Sequence, residues 1–184
     1  MKPKMQPLKQ LDETLRALAD SDHCVFATSD LAGAVPRCGQ LAVLLSRATK
    51  AGVLHRICKG IYFFPVREYS SGNLLYHAAA RLRAGEFNYL SMESVLSETG
   101  VISQMPMNWI TLMSSGRSHV IDCGDYGYIE FIHTRQRPEK IAGELTFDTE
   151  RHLWRASVRQ AWRDMKAARR STELIDKEVL HELV

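Results

Sequence analysis

The apolar residues near the start of the chain recur at helical spacing. Four leucines lie three or four residues apart, so one face of a helix would carry them all: Leu8, Leu11, Leu15 and Leu18. This pattern predicts a first helix over residues 8–20. The apolar run over residues 24–27 predicts a short strand, after which Thr28 or Ser29 would cap a short helix that Pro36 ends.

A third helix is predicted over residues 38–51, and its two faces differ. Its apolar positions again have helical spacing and would pack inward: Leu41, Leu44, Leu45 and Ala48. The opposite stripe would face outward: Gln40, Val43, Arg47 and Lys50. Gly52 follows as a residue suited to end the helix, because glycine readily adopts the left-handed conformation found at helix C-termini.

Two apolar-rich runs over residues 52–65, GVLHRICKGIYFFP, predict a β-hairpin. Its corner is Lys59-Gly60, where the glycine supplies the positive φ that a tight turn requires. Pro65 has no backbone N–H to donate and stops the second strand. The tip and flank of this hairpin would carry His55, Arg56 and Lys59.

The order of helix, short helix, helix and basic hairpin predicts a winged helix-turn-helix domain over residues 1–68. In such a domain the third helix enters the major groove of DNA, where Gln and Arg side chains hydrogen-bond to base edges. The outward stripe of the third helix would therefore read bases. Val43 in that stripe either contacts a thymine methyl group or indicates that the reading stripe is shifted by one residue. The hairpin residues complete the predicted DNA-binding set, with Arg56 and Lys59 neutralising phosphates.

Residues 69–184 begin at a polar linker, REYSSGN, and predict a small α+β domain with C-terminal helices. Helices are predicted over residues 74–83 and 91–100, with an extended segment over residues 87–90 between them. Three strand-like runs follow, separated by SSGRS and by a Gly-Asp corner: residues 109–113, 119–123 and 126–133. Their short connections predict an antiparallel meander.

A basic helix is predicted from Thr149 onwards, followed by a last, acidic helix from Ser171. Four arginines of the basic helix are four residues apart and would form a ridge on one face: Arg151, Arg155, Arg159 and Arg163. This ridge could bind an acidic partner, or it could be a solvated, salt-bridged face. Acidic residues at four-residue spacing, which a salt-bridged face would need, are scarce here.

The net charge of +3 is unevenly distributed over the 184 residues. Residues 1–70 contain ten Lys or Arg against six Asp or Glu, and residues 148–170 are basic as well. Separated basic segments are what a nucleic-acid partner would use. No apolar run approaches the roughly 20 residues that span a bilayer, and the basic N-terminus lacks the apolar centre of a signal peptide. We therefore expect a cytoplasmic protein with no membrane partner.

Catalytic patterns in the sequence are sparse. His119, Asp122 and Cys123 are residue types used in thiol chemistry, but all three fall on one predicted strand and its end, where alternation separates Asp122 from the other two. Asp122, Asp125 and Glu130 lie near one another without the lysine that nuclease cores favour. Gly-rich phosphate loops are absent, and the four cysteines are too widely spaced for a typical zinc site. The sequence therefore predicts no enzyme activity, no cofactor and no metal.

Four stretches carry a resemblance to a known family. The most specific are KGIY over residues 59–62 and SMESVLSETGVI over residues 91–102, and ITLMSSGRS and GDYGYIEFIH follow them. In this order they resemble the AbiEi-type antitoxins of type IV toxin–antitoxin and abortive-infection systems, over about residues 10–135.

The resemblance implies a transcriptional autorepressor with a role in phage defence, encoded beside a nucleotidyltransferase-like toxin. Its winged helix would bind inverted repeats in its own promoter, as double-stranded DNA, and its C-terminal part would counteract the toxin. By position, the predicted DNA-binding residues fall in the recognition helix and wing of that family.

Three functions are left to distinguish. The leading hypothesis is a non-enzymatic, DNA-binding antitoxin and repressor. The alternative is a protein-interaction module that neutralises a partner toxin directly through the α+β part and the arginine ridge, with little DNA binding. A nuclease or other enzyme of the same defence context is the third, and it would require metal-dependent activity at Asp122, Asp125 or Glu130.

Overall fold

The computed structural model describes residues 6–35, 40–103 and 108–184 of an α+β protein. The chain divides into two compact units, Met1–Leu74 and Leu75–Val184. The predicted helix end at Pro36 and the predicted start of the third helix at Cys38 lie outside the described residues.

The first unit alternates helices with short strands. Its elements in chain order are α1 (Pro7–Leu18), β1 (Val25–Ala27), α2 (Thr28–Ala34), α3 (Leu41–Lys50), β2 (His55–Cys58) and β3 (Ile61–Phe63). Pro7 stands in the first turn of α1, where a missing N–H costs nothing because the first N–H groups of a helix have no partner in it.

The apolar faces predicted for the first unit form its core. Leu11 and Leu15 of α1 are buried, as are Leu44, Leu45 and Ala48 of α3. They belong to one cluster with residues from α2 and from the segments around the hairpin: Leu31, Val35, Leu54 and Phe64. Leu8 and Leu41 are partly buried and pack against this cluster. Leu18 at the end of α1 is exposed, so the prediction that it shares the buried face is wrong.

The three strands of the first unit pair antiparallel in the order β1-β3-β2 among the described residues. The β2–β3 hairpin turns at Lys59-Gly60, and Gly60 has φ +85°. The backbone N–H and the hydroxyl of Thr28 both donate to the Gly60 carbonyl, at 2.9 and 3.2 Å. The hairpin corner is thus attached to the first residue of α2.

The second unit contains a larger sheet with helices packed on it. Its elements are α4 (Leu74–Leu82), which begins at the boundary between the units, β4 (Asn88–Leu90), α5 (Glu93–Glu98), β5 (Trp109–Ser114), β6 (His119–Asp122), β7 (Tyr128–His133), α6 (Pro138–Ile141), β8 (Leu145–Asp148), β9 (Leu153–Ala156), α7 (Val158–Ala167) and α8 (Lys177–Leu183). Helices α5 and α7 contact each other and the strands β5 and β9 respectively.

The predicted meander is wrong, because β5 and β7 are direct neighbours. Among the described residues the strand order is β6-β7-β5-β4-β9-β8, with β5 and β7 parallel and β6 antiparallel to β7. Strand β5 is mostly buried and β7 is buried over Ile129, Glu130 and Phe131, whereas β6 is mostly exposed. The more polar strand therefore lies at the edge and the two apolar strands pair in the interior, where both can bury their side chains.

The helix predicted from Thr149 is also wrong over its first part. Residues 145–156 form the β8–β9 hairpin, and α7 begins only at Val158. The Asp148 carboxylate accepts from the backbone N–H groups of Glu150 and Arg151 at 3.1 and 3.0 Å, which closes a turn instead of a helix. Ser157 then caps α7 by accepting from the Gln160 N–H.

Candidate nucleic-acid interface

Helix α3 and the β2–β3 hairpin enclose a groove on the first unit, with a volume of about 550 Å³. The helix contributes one wall and the hairpin the other. The lining residues are Thr28, Ala42, Leu45, Ser46, Thr49, Lys50, Arg56, Lys59, Gly60 and Tyr62. They include three cations and no carboxylate, so the groove is suited to a negatively charged ligand.

The hairpin wall takes its shape from strand register. Arg56 lies directly opposite Tyr62 in the β2–β3 ladder, and residues paired in this way point to the same face. A bulge between Arg56 and Cys58 shifts the register next to the turn, and the Arg56 Nε–H donates to the Cys58 carbonyl at 3.3 Å. Lys59 is exposed at the tip. The hairpin therefore presents two cations and an aromatic ring beside α3.

The structure brings three of the predicted DNA-binding residues together in this groove: Lys50, Arg56 and Lys59. Gln40, Val43 and Arg47 are exposed on α3 or at its N-cap, but they do not line the groove.

His55 does not line the groove either. It pairs with Phe63 across the ladder, and their ring centroids are 6.2 Å apart. Because strand neighbours alternate between faces, His55 lies on the opposite face of the hairpin from Arg56.

Sequence reasoning missed the helix residues nearest the hairpin. Ala42, Ser46 and Thr49 are spaced at i, i+4 and i+7 and form the row of α3 that faces it. The predicted stripe through Val43 and Arg47 runs about one residue further round the helix. Helical periodicity identified the exposed side of α3. Which residues of that side line the groove depends on where the hairpin packs.

The cations around the groove have no ion-pair partner among the described residues. Neither Lys50, Arg56 nor Lys59 lies within salt-bridge distance of a carboxylate, and Arg47 on the neighbouring helix row does not either. Their positive charge is therefore uncompensated locally, which raises the attraction for an anionic backbone.

The four arginines of the predicted ridge do not share one helix face. Arg151 lies in the β8–β9 turn and Arg155 in β9, and both donate to Glu98, at 2.8 and 3.1 Å. Arg151 also contacts Asp148 and lies over the ring of Tyr76 at 4.4 Å. These two guanidinium groups are thus largely neutralised by acidic residues from elsewhere in the fold.

Only the last two arginines of the set are on α7. Arg159 donates to the carbonyl of Val184 at 2.7 Å, and Arg163 lies 3.6 Å from a carboxylate oxygen of Glu144. The spacing of four in the sequence therefore ran through a turn, a strand and a helix. A role for these residues in partner binding stays a prediction.

The residues considered for catalysis do not converge. His119 is exposed whereas Cys123 is buried, and Asp122 accepts from the Gly124 N–H at 2.8 Å. A separate buried cysteine, Cys24 of the first unit, is a poor nucleophile, because burial raises the pKa of its thiol to about 12 and keeps it protonated.

The acidic residues considered as metal ligands make different contacts within the fold. Glu130 is buried and pairs with Arg170, which also contacts Glu93 at 3.1 Å. Over residues 6–35, 40–103 and 108–184, no group of three His, Cys, Asp or Glu side chains is placed to hold a metal ion. In the same residues no helix has the length and apolar character needed to cross a bilayer.

The fold has a counterpart among solved structures. The crystal structure of the RV2827C protein from Mycobacterium tuberculosis matches with a TM-score of 0.57 and 15% sequence identity, covering 98% of this chain and 72% of that chain. At this identity the likeness shows a shared fold. The sequence matches no protein-family model, and it matches no curated protein.

Proposed function

We propose that the first unit is a winged helix-turn-helix domain and that the protein is a DNA-binding transcriptional repressor. The observation that carries this proposal is the groove between α3 and the β2–β3 hairpin, whose three cations have no ion-pair partner among the described residues. The order of α1, α2, α3 and a β-hairpin is the order of elements in winged helix domains, which supports the assignment.

The physical roles follow from the groove. Helix α3 enters the major groove of double-stranded DNA with its exposed side, and the hairpin lies along the sugar–phosphate backbone. Arg56 and Lys59 neutralise phosphates, which supplies affinity but no sequence information. Lys50 lines the groove between α3 and the hairpin, and Arg47 lies on the adjacent row of α3. The C-terminal part of α3 therefore also contacts the DNA.

The regulatory context rests on the resemblance to AbiEi-type antitoxins. In this proposal the protein represses its own promoter by binding inverted repeats and is the antitoxin for a nucleotidyltransferase-like toxin. The KGIY stretch of the resemblance includes the hairpin corner, where Thr28 holds the Gly60 carbonyl. This placement supports the proposal, because the family-like residues shape the wing.

The testing experiment is a gel-shift titration of the protein on its own upstream DNA and on scrambled DNA, at two salt concentrations. We expect tighter binding to the upstream fragment and weaker binding to both fragments at higher salt. The double variant Arg47→Ala and Lys50→Ala should lower the preference for the upstream fragment, since one good base contact contributes about 1–3 kcal/mol of discrimination. Unchanged promoter affinity in this variant would contradict the assignment of α3 as the recognition helix.

A second candidate function, direct binding of a partner protein, is favoured by one feature of the second unit. Phe147 and Trp154 are 46% and 43% exposed on the β8–β9 hairpin, with ring centroids 5.3 Å apart. Exposed aromatic side chains of this kind are enriched in protein interfaces. Equal, weak binding to both DNA fragments, together with co-purification of a neighbouring gene product, would favour this function over the repressor.

A further inference from the structure

We infer that α3 selects its DNA site by contacting the C5-methyl groups of thymine, with Val43 as the main contact and Ala42 beside it. This inference rests on the proposed DNA-binding function and specifies what the site reads. It adds apolar contacts from the first turn of α3 to the base contacts that the proposed function gives to Arg47 and Lys50.

The first turn of α3 exposes two apolar side chains, and the side chains that can hydrogen-bond to a base edge lie before or after that turn. Ala42, Val43 and Ser46 are all exposed in the first two turns, and Val43 is 43% exposed. The longer polar side chains lie at the ends of the helix: Gln40 at the N-cap, and Arg47 and Lys50 in the last turn. The exposed surface of the first turn of α3 is therefore small and apolar.

Small side chains at these positions permit a close approach between the helix backbone and the bases. Ala42 and Ser46 also line the groove between α3 and the hairpin, so the surface of small side chains continues to the hairpin cations. Arg56 and Lys59 would fix the depth and register of the helix through phosphate contacts, leaving Val43 facing the base edges. In this arrangement Arg56 and Lys59 position α3, and Val43 adds selection for thymine to the base contacts of Arg47 and Lys50.

Thymine is the base that suits such a surface. In the major groove it presents a methyl group beside its O4 acceptor, and apolar side chains recognise that methyl by direct contact. An exposed valine elsewhere on a protein surface needs no explanation, because scattered exposed apolar residues are ordinary. On the exposed side of α3, which would enter the major groove of DNA, the same valine would contact a thymine methyl group.

The test uses the wild-type protein and synthetic duplexes of its upstream site in which each thymine is replaced, one at a time, by deoxyuridine. This replacement removes only the C5-methyl group and keeps base pairing and the O4 acceptor. We expect one or more positions at which deoxyuridine weakens binding about fourfold, the factor that corresponds to burying one methyl-sized group. Replacements outside the contacted positions should leave the affinity unchanged.

The second arm repeats the sensitive duplex with Val43→Ala and with a matched control, Leu18→Ala. Leu18 is also an exposed apolar residue of the first unit, 61% exposed near the end of α1. We expect Val43→Ala to bind the thymine duplex more weakly and to lose most of its discrimination between the two duplexes. Leu18→Ala should keep the wild-type ratio, so the comparison isolates the contact between Val43 and the methyl group.

The outcomes separate this inference from the proposed function. Tight, upstream-specific binding that is indifferent to deoxyuridine at every position would overturn methyl recognition and leave the repressor assignment standing. A deoxyuridine effect that persists unchanged in Val43→Ala would overturn the role of Val43. Absence of specific binding to the upstream DNA would overturn both. The deoxyuridine series on the wild-type protein needs no variant, so it is decisive even if a substitution impairs folding.

Discussion

Asp164 is the charged residue most completely enclosed by the fold among the described residues. Its relative exposure is 0%, and it lies on α7 against the central sheet. One carboxylate oxygen accepts from the Ser91 hydroxyl at 2.7 Å, and the other accepts from the side-chain amides of Gln136 and Gln160 at 2.7 and 2.8 Å. These bonds join segments far apart in sequence, so the site positions α7 against the β4–α5 connection.

Burial raises the pKa of Asp164, and the hydrogen bonds from its neighbours only partly oppose that effect. The folded state therefore binds its proton more tightly than the unfolded state does. Between the ordinary pKa of an aspartate, about 4, and the raised folded-state pKa, the folded protein carries more protons. The free energy of unfolding should consequently fall as pH rises through this window and stay lower above it.

We predict that Asp164→Asn removes this contribution to the pH dependence. The asparagine oxygen can still accept from both glutamine amides, and its NH₂ group can donate to the Ser91 hydroxyl, so the shape of the site is kept. Urea unfolding from pH 4 to pH 8 should show the variant gaining stability relative to wild type as pH rises. Asp125→Asn, which removes an exposed carboxylate, serves as the control. A constant difference between Asp164→Asn and wild type across this range would contradict the prediction.

Val43 and Ser46 show where sequence reasoning about the site ends. Helical spacing correctly placed Leu44, Leu45 and Ala48 inward, which follows from burial alone. It could not tell which outward row lies nearest the hairpin, because that depends on where a separate element packs. For the same reason it grouped His55 with Arg56, although strand alternation turns the two to opposite faces.

At the level of elements, the β2–β3 hairpin is the part most directly specified by local sequence. Gly60 has φ +85°, a conformation that L-residues adopt only at a cost. A Cβ added there would lie 3.8 Å from the Thr28 hydroxyl, an ordinary contact. The requirement for glycine is therefore one of backbone conformation and not of space.

We predict that Gly60→Ala destabilises the protein by about 1–2 kcal/mol through the left-handed backbone conformation alone. The matched control is Gly33→Ala, within α2, where an added Cβ meets no atom within 4 Å. That change should stabilise by about 0.5–1 kcal/mol, since alanine favours a helix over glycine. Chemical denaturation of both variants gives the two free energies. A Gly60→Ala variant that is as stable as the wild type, or more stable, would show that the hairpin corner is not strained by alanine.

The elements that the sequence did not predict depend on tertiary context. The arginine spacing over residues 151–163 mimicked a helix, but the Asp148 turn and the pairing of Phe147 with Trp154 select a hairpin over its first part. No local sequence pattern predicts that β5 pairs in parallel with β7. Short connections favour neighbouring strands, and here burial of the two apolar strands overrides that preference.

At the level of the whole molecule, positive charge is concentrated in the first unit. Residues 1–74 contain ten Lys or Arg against six Asp or Glu, whereas residues 75–184 contain 14 against 15. Some arginines of the second unit are also engaged in ion pairs, as with Arg151 and Arg155 at Glu98. In the proposed function, the electrostatic part of DNA affinity therefore belongs to the first unit.

We predict that two variants with the same loss of charge behave differently on the upstream DNA. Arg56→Ala with Lys59→Ala should weaken binding and make the slope of log affinity against log salt shallower by about two, since each lost phosphate contact changes it by about 0.9. Arg159→Ala with Arg163→Ala also removes two positive charges, one of them paired with Glu144, yet should leave the slope unchanged. Binding titrations at four salt concentrations measure both slopes. An equal change in the two variants would mean that DNA contacts extend over the second unit, and a change only in the Arg159 and Arg163 variant would move the DNA interface to α7.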